Sequence, residues 1–163
     1  MWTSHPACPD LKWFPLQPGW IKINFDVAII PHATILAAVG RRELGDILFA
    51  HSNLFLPSNL TFGETQAAFK ALKLAVFCKY SYVLFEGDCK GVIDALQNIH
   101  MSPPWFLAFY FPDVKATISS LFCWKFSFIS RDVNFLCHKT HNLAWRIAFC
   151  NCDGSISISS FLP

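Results

Sequence analysis

Three acidic side chains stand where predicted strands and helices meet. Asp26 lies late in the first predicted strand, Glu64 in the first turn of the first predicted helix, and Asp88 directly after the fourth predicted strand. If the first and fourth strands are neighbours in a mixed sheet, Asp26 and Asp88 converge, and Glu64 can reach them from the helix. Crowded carboxylates repel one another until a hard cation binds. The spacing therefore predicts a shared metal site.

Each of these acids also has an ordinary structural explanation. Glu64 would interact favourably with the dipole at a helix N-terminus. Gly87-Asp88 would fit a turn that leads into an N-cap. Caps and turns are commoner than catalytic sites, so the metal site is predicted from the three residues together.

The elements that must position these acids begin after residues 1–19, an irregular lead-in rich in proline and tryptophan. From Trp20, the segment WIKINFDVAII alternates apolar and polar residues, as a strand with one buried face does. Two further apolar runs, ILAAVGRREL and DILFAHSNLFL, are separated by the turn signal Leu44-Gly45-Asp46. We predict that these three strands form an antiparallel meander.

Helical spacing follows in TFGETQAAFKALKLAVFCK, for which Thr61 is the predicted N-cap. The run YVLFE predicts a buried fourth strand, and GDCKGVIDALQNI a second helix. Residues 106–121 predict a further helix that Pro112 must start or kink.

The C-terminal part of the chain completes the domain. CWKFSFIS alternates as a fifth strand, and a last helix is predicted over about residues 136–150. The sequence thus predicts one α/β domain over residues 20–150, with helices flanking a mixed five-stranded sheet, and a loosely ordered tail over residues 151–163.

Composition narrows the class of protein. The 163 residues are 53% hydrophobic with a net charge of +2, which suits one globular domain and neither supports nor excludes a nucleic-acid partner. Seven cysteines without framework spacing, and no secretory signal, predict reduced thiols in an intracellular protein. The longest uncharged run, residues 95–112, contains Pro103-Pro104 and polar side chains, so no membrane span is predicted.

Several other groups of residues have a functional and an ordinary interpretation. A zinc site is disfavoured because no Cys-x₂-Cys pair precedes the candidate ligands, which are Cys137, His138, His141, Cys150 and Cys152. Ordinary solvated side chains are favoured over phosphate contacts for Lys90, Lys125, Arg131 and Lys139. Core packing is favoured over base stacking for Trp105, Phe106, Phe109 and Tyr110.

Several separate segments share motifs with one family. They are the lead-in Trp13 and Pro15 with GWIKINFD, then AAVGRRELGDIL, GETQAAFKAL, VLFEGDCKGVIDAL and RDVNFLCHKTHNLA. Together they resemble the ribonuclease H-type domain of plants, a reverse-transcriptase-like domain of retroelement origin, over about residues 13–148. The EGD before a helix is the most specific motif. The resemblance implies a ribonuclease H-like fold, in which Asp26, Glu64 and Asp88 match the metal-binding carboxylates.

A fourth site position in this family lies near the start of the last helix. Active ribonucleases H carry aspartate there, and many plant members carry histidine. His138 preserves the spacing from Arg131 and Asn134, whereas His141 preserves the local pattern, so both stay candidates. Neither is a carboxylate, and neutral imidazole suits Mg²⁺ less well than oxygen does, so a second metal site would be weaker.

The resemblance also implies a reaction. Two Mg²⁺ ions about 4 Å apart, replaceable by Mn²⁺, would activate water and stabilise the leaving 3′ oxygen during endonucleolytic hydrolysis of the RNA strand in an RNA–DNA hybrid. Asp26 would bridge the ions, and the histidine would help to deprotonate water or assist product release. Selectivity would come from 2′-hydroxyl contacts and duplex shape. A monomer is the default expectation.

Departures from the family pattern support an alternative function. Val27 replaces the usual glycine and is expected to hinder the substrate, whereas Arg41-Arg42-Glu43 in place of the usual arginine–aspartate turn is a smaller change. Because the fourth carboxylate is also missing and the net charge is only +2, the alternative is a catalytically degenerate, retroelement-derived domain that binds nucleic acid or serves as an interaction scaffold.

Overall fold

A mixed sheet runs through the computed structural model, which describes residues 16–134, Cys137, Lys139 and the main chain of residues 155–157. The strands are β1 (Ile21–Ile30), β2 (Ala33–Arg41), β3 (Ile47–Phe55), β4 (Tyr82–Gly87), β5 (Cys123–Phe128) and β6 (Ser155–Ser157). The helices are α1 (Leu60–Phe77), α2 (Lys90–Gln97), α3 (Trp105–Ala108) and α4 (Phe111–Ile118).

The strand order is β5-β4-β1-β2-β3-β6. The strands β1, β2 and β3 pair antiparallel, whereas β4 is parallel to both β1 and β5. This confirms the predicted five-stranded mixed sheet and the neighbouring positions of the first and fourth strands. Within the range predicted as a tail, β6 adds a short antiparallel strand beside β3.

The predicted turn between the second and third strands lies at Gly45. Its φ of +99° is a left-handed conformation that glycine adopts without steric cost. The Arg42 amide donates to the Asp46 carbonyl at 2.9 Å, and the Gly45 amide donates to the Arg42 carbonyl at the same distance. The turn therefore sets β2 and β3 in register.

The prediction that β1 buries only one face is wrong. Its apolar residues Ile23 and Phe25 pack in the core, but Asn24 and Asp26 on the other face are also 1% and 2% exposed. Alternation indicates which side chains share a face, but it does not show whether another element covers the polar face. Part of that cover is Cys137, which is fully buried, and Asn134, which donates a hydrogen bond from Nδ2 to the Phe25 carbonyl at 2.9 Å.

Helix α1 covers the apolar face of the sheet. Its buried surface is lined by small residues, which allow the helix to lie close to β1 and β2: Ala67, Ala68, Ala71 and Ala75. Asn59, and not the predicted Thr61, is the N-cap, and its side chain accepts from the Phe62 amide at 2.9 Å. Both residue types cap helices well, so sequence alone did not separate them.

The helix predicted over residues 106–121 is divided into α3 and α4, with Pro112 in the first turn of α4. None of the helices in the described part of the chain has the length and apolar character needed to cross a membrane. Cys137 and Lys139 are helical, in agreement with the predicted last helix. The rest of that helix and residues 1–15 of the lead-in lie outside the described residues.

Candidate metal centre

The register between β1 and β4 brings Asp26 and Asp88 together. Asn24 pairs with Glu86, at the end of the parallel ladder. Asp26 and Asp88 each follow two residues later, and side chains two apart on a strand share a face. The two aspartates therefore meet where the paired strands separate, and Asp88 lies just after β4 ends.

Glu64 completes the cluster from α1. One ligand oxygen from each of Asp26, Glu64 and Asp88 lies within 4.8 Å of the others. Asp26 and Glu64 are 2% and 4% exposed, whereas Asp88 is half-buried. These are the three carboxylates that the sequence placed in one site, and three separate elements supply them.

Burial and the neighbouring carboxylates both act on Glu64. Burial, more than any other cause, raises the pKa of Glu64 to about 9. The negative charges of Asp26 and Asp88 contribute to the rise, and the Arg131 guanidinium opposes it. Among the described residues, Glu64 Oε2 is also a buried oxygen without a hydrogen-bond partner. A cation would therefore remove both the repulsion and the unsatisfied acceptor.

A buried polar network lies beside the cluster on the same sheet face. Lys22 Nζ lies 3.0 Å from Glu86 Oε1, and Asn24 Nδ2 donates to Glu86 Oε2 at 2.9 Å. Arg41 donates to Asn24 Oδ1 from the neighbouring strand β2. Glu86 is thus compensated by a lysine and an amide and is unlike the crowded carboxylates. We did not predict this network, although Lys22 and Asn24 share the face of Asp26 in the period-two pattern.

The segment that leads into the predicted last helix reaches the same site. Arg131 is exposed and acts electrostatically on Glu64, while Asn134 is anchored to β1 through the Phe25 carbonyl. Cys137 is buried near Asp26, and burial together with that charge raises the pKa of its thiol well above the usual range. His138 and His141 themselves lie outside the described residues.

Val27 does not obstruct the surface of the site, contrary to expectation. Its side chain is 3% exposed and belongs to the hydrophobic core. It lies on the opposite face of β1 from Asp26, because adjacent residues of a strand point in opposite directions. The predicted hindrance of the substrate by this β-branched residue is therefore wrong.

The other candidate residues have varied surroundings. Lys90 forms an ion pair with Asp94 at 2.7 Å, and the Lys125 ammonium lies 5.4 Å from the centre of the Trp20 ring. Trp105 and Phe109 are 70% and 77% exposed, so core packing does not describe them, whereas Phe106 and Tyr110 pack against the core.

The last of the candidate phosphate contacts, Lys139, is exposed.

Within the described residues, the Asp26–Glu64–Asp88 cluster is the one group of three or more His, Cys, Asp or Glu side chains able to share a metal ion. Of the five disfavoured zinc ligands, Cys137 alone is described.

Solved structures share this fold. The chain is similar to RNase H1 from the halophilic archaeon Halobacterium salinarum, with a TM-score of 0.71 and 17% identity, covering 79% of this chain and 99% of that chain. For the N-terminal RNase H domain from Mycobacterium tuberculosis, the TM-score is 0.70 and the identity 14%, covering 82% of this chain and 99% of that chain. For LC11-RNase H1, crystallised in complex with an RNA/DNA hybrid, the TM-score is 0.68 and the identity 18%, covering 79% of this chain and 99% of that chain.

Comparison of sequences identifies the family. No curated protein matches the chain. The family described as reverse transcriptase-like matches residues 24–144, which is more than half of the chain and includes all three clustered carboxylates. Together with the ribonuclease H-like sheet order, this match shows that the chain belongs to the reverse transcriptase-like family.

Proposed function

We propose that this protein is a divalent-metal-dependent endonuclease that hydrolyses the RNA strand of an RNA–DNA hybrid. The observation that carries the proposal is the convergence of Asp26, Glu64 and Asp88, whose ligand oxygens lie within 4.8 Å of one another. Family membership and the likeness to LC11-RNase H1, which was crystallised with an RNA/DNA hybrid, support the choice of substrate.

The residues present fit Mg²⁺, with Mn²⁺ as a substitute. The donor set is three carboxylates, the hard oxygen ligands that these cations prefer. The unsatisfied Glu64 Oε2 and the raised pKa of Glu64 both indicate a site that is unfavourable until positive charge enters it. When bound, Mg²⁺ would activate water and offset the charge that develops on the phosphodiester.

The chain's own residues would hold the reactants in place. Asp26 from the centre of the sheet, Glu64 from α1 and Asp88 from the end of β4 would hold the metal. Arg131 is exposed and close enough to Glu64 to act on its pKa, so its guanidinium is suited to contact a backbone phosphate. The hybrid would be selected by 2′-hydroxyl contacts and shape rather than by sequence.

We assign the fourth site position to His138 rather than to His141. The alignment that selects His138 preserves the spacing from Arg131 and Asn134, and both of those residues reach the site. The imidazole would help to deprotonate water or assist product release. We expect His138→Ala to lower cleavage more than His141→Ala does.

A second candidate function is binding of nucleic acid without cleavage. The observation that favours it is the histidine in place of a fourth carboxylate, which weakens a second metal position. On the sequence resemblance alone, we also propose that the domain derives from a plant retroelement. From its cysteine usage we propose that it acts inside the cell, and a monomer is the default expectation.

The test is cleavage of a hybrid that carries a labelled RNA strand, with Mg²⁺ or Mn²⁺, by the 163-residue chain. We expect metal-dependent cutting that Asp26→Asn and Asp88→Asn reduce to background. The matched control is Asp94→Asn, which removes a carboxylate from the surface of α2 and is expected to cut normally. If the folded parent chain binds the hybrid but does not cut it, the binding function is correct.

A further inference from the structure

Both residues that flank Asp26 pack against a glycine, and each of those glycines precedes another carboxylate of the cluster. Phe25 packs against Gly87, which precedes Asp88. Val27 packs against Gly63, which precedes Glu64. The tripeptide Phe25-Asp26-Val27 therefore contacts the main chain next to each of its two partner acids.

The contact between Phe25 and Gly87 joins β1 to β4. A Cβ added at Gly87 would lie 2.5 Å from Phe25 Cε2 and 2.6 Å from Cζ. Such distances are far below van der Waals contact, and the ring cannot move aside easily because Phe25 is fully buried. The register explains the contact, because residues 25 and 87 each stand one position beyond the pair Asn24 and Glu86.

The contact between Val27 and Gly63 joins β1 to α1. A Cβ at Gly63 would lie 2.9 Å from Val27 Cγ2, with Ile29 Cδ1 at 3.2 Å and Ser58 Oγ at 3.3 Å. Alanine is a better helix former than glycine, so local propensity does not favour a glycine inside α1. The close approach of the helix to a β-branched side chain does explain it.

We infer that Gly63 and Gly87 are positioning residues, whose lack of a side chain lets β4 and α1 approach β1 closely enough for three repelling carboxylates to share a metal ion. The inference rests on the proposed function, since it concerns the same site. Repulsion alone would drive the acids apart, so their separation must be fixed by packing that resists it.

The test compares Gly63→Ala and Gly87→Ala with Gly91→Ala in the full 163-residue chain. Gly91 is the matched control, because a Cβ there meets nothing within 4 Å. Mn²⁺ affinity is measured by titration calorimetry on variants whose folding is checked by near-ultraviolet circular dichroism. We expect the two positioning variants to bind Mn²⁺ roughly 10-fold or more weakly, and the control to bind normally.

Compensating changes separate positioning from a general loss of structure. Phe25→Leu should restore much of the affinity lost in Gly87→Ala, and Val27→Ala should do so for Gly63→Ala, because each relieves the specific overlap. If Gly63→Ala or Gly87→Ala does not fold by itself, Mn²⁺ affinity is measured on the double variant that contains its compensating change. Wild-type affinity in folded Gly63→Ala and Gly87→Ala would overturn the inference.

Crystal structures of the metal-free variants make the outcome independent of activity. We expect the oxygens of the clustered acids to lie farther apart than the 4.8 Å of the parent chain. Unmoved carboxylates would overturn the positioning role, whatever the nuclease assay shows. Displaced carboxylates in a protein whose parent cuts no hybrid would contradict the proposed function and leave the positioning role in place.

Discussion

Replacement of Glu64 by glutamine is expected to make the metal-free protein less sensitive to rising pH. The carboxyl is 4% exposed, and burial beside Asp26 and Asp88 raises its pKa to about 9 from an ordinary value of 4.5. A group whose pKa is higher in the folded chain contributes its full stabilisation at pH values below its pKa in the unfolded chain. That stabilisation is lost progressively as the pH rises from there towards about 9.

The magnitude follows from the number of protons bound. Between these two pKa values the folded chain keeps a proton on Glu64 that the unfolded chain has released. The free energy of unfolding therefore falls by about 1.4 kcal/mol per pH unit, or about 3 kcal/mol from pH 6 to pH 8, through this group alone. Glutamine keeps the size and hydrogen-bonding capacity of the protonated acid but cannot ionise, so Glu64→Gln removes this slope.

The assay is urea unfolding of both proteins in EDTA and a reducing agent at the two pH values. Groups that titrate alike in both proteins cancel in the difference, which isolates Glu64. Glu43→Gln, in the turn between β2 and β3, is the control for the same chemical change outside the cluster. If Glu64→Gln and the parent lose the same stability between the two pH values, Glu64 is ionised without cost and the electrostatic description of the site is wrong.

Two further predictions concern the buried ion pair beside the site and the N-cap of α1. Glu86→Ala leaves the Lys22 ammonium buried without its carboxylate, and we expect it to lower the free energy of unfolding by about 3 kcal/mol, measured by urea denaturation. An unchanged midpoint would mean that water reaches Lys22. Asn59→Ala removes the side chain that caps α1, and we expect it to lower the free energy of unfolding by about 1 kcal/mol in the same assay. Thr61→Ala should lower it by less, because the N-cap is Asn59.

The elements that the sequence predicted well are those with strong local patterns. The alternation in β1, the glycine turn at Gly45 and the helical spacing of small residues in α1 are each local patterns that one segment contains by itself. The motif EGD, before a helix, located Asp88 through family resemblance. The convergence of Asp26 and Asp88 then needed only the assumption that β1 and β4 are neighbours.

The features that sequence did not reveal depend on contacts between distant segments. Lys22 alternates like a solvent-facing residue, yet its ion pair with Glu86 of β4 allows it to be buried. The burial of Val27 depends on Gly63 of α1, because the missing side chain of this glycine leaves room for the valine. The N-cap was predicted at Thr61 instead of Asn59, because both residue types are good caps and only the path of the chain into α1 selects Asn59.

The sheet order has a consequence for the order of folding. The strands β1, β2 and β3 pair with their neighbours along the chain, so their contacts close short loops. The parallel pairing of β1 with β4 joins residues about 60 apart, as in the hydrogen bond from Asn24 to Glu86, and must overcome the entropy of closing a much longer loop. The three antiparallel strands can therefore pair before β4 docks and brings Asp88 beside Asp26. We expect metal binding to appear only with the slow phase in which β4 docks, so the cation stabilises the finished domain and does not guide its assembly.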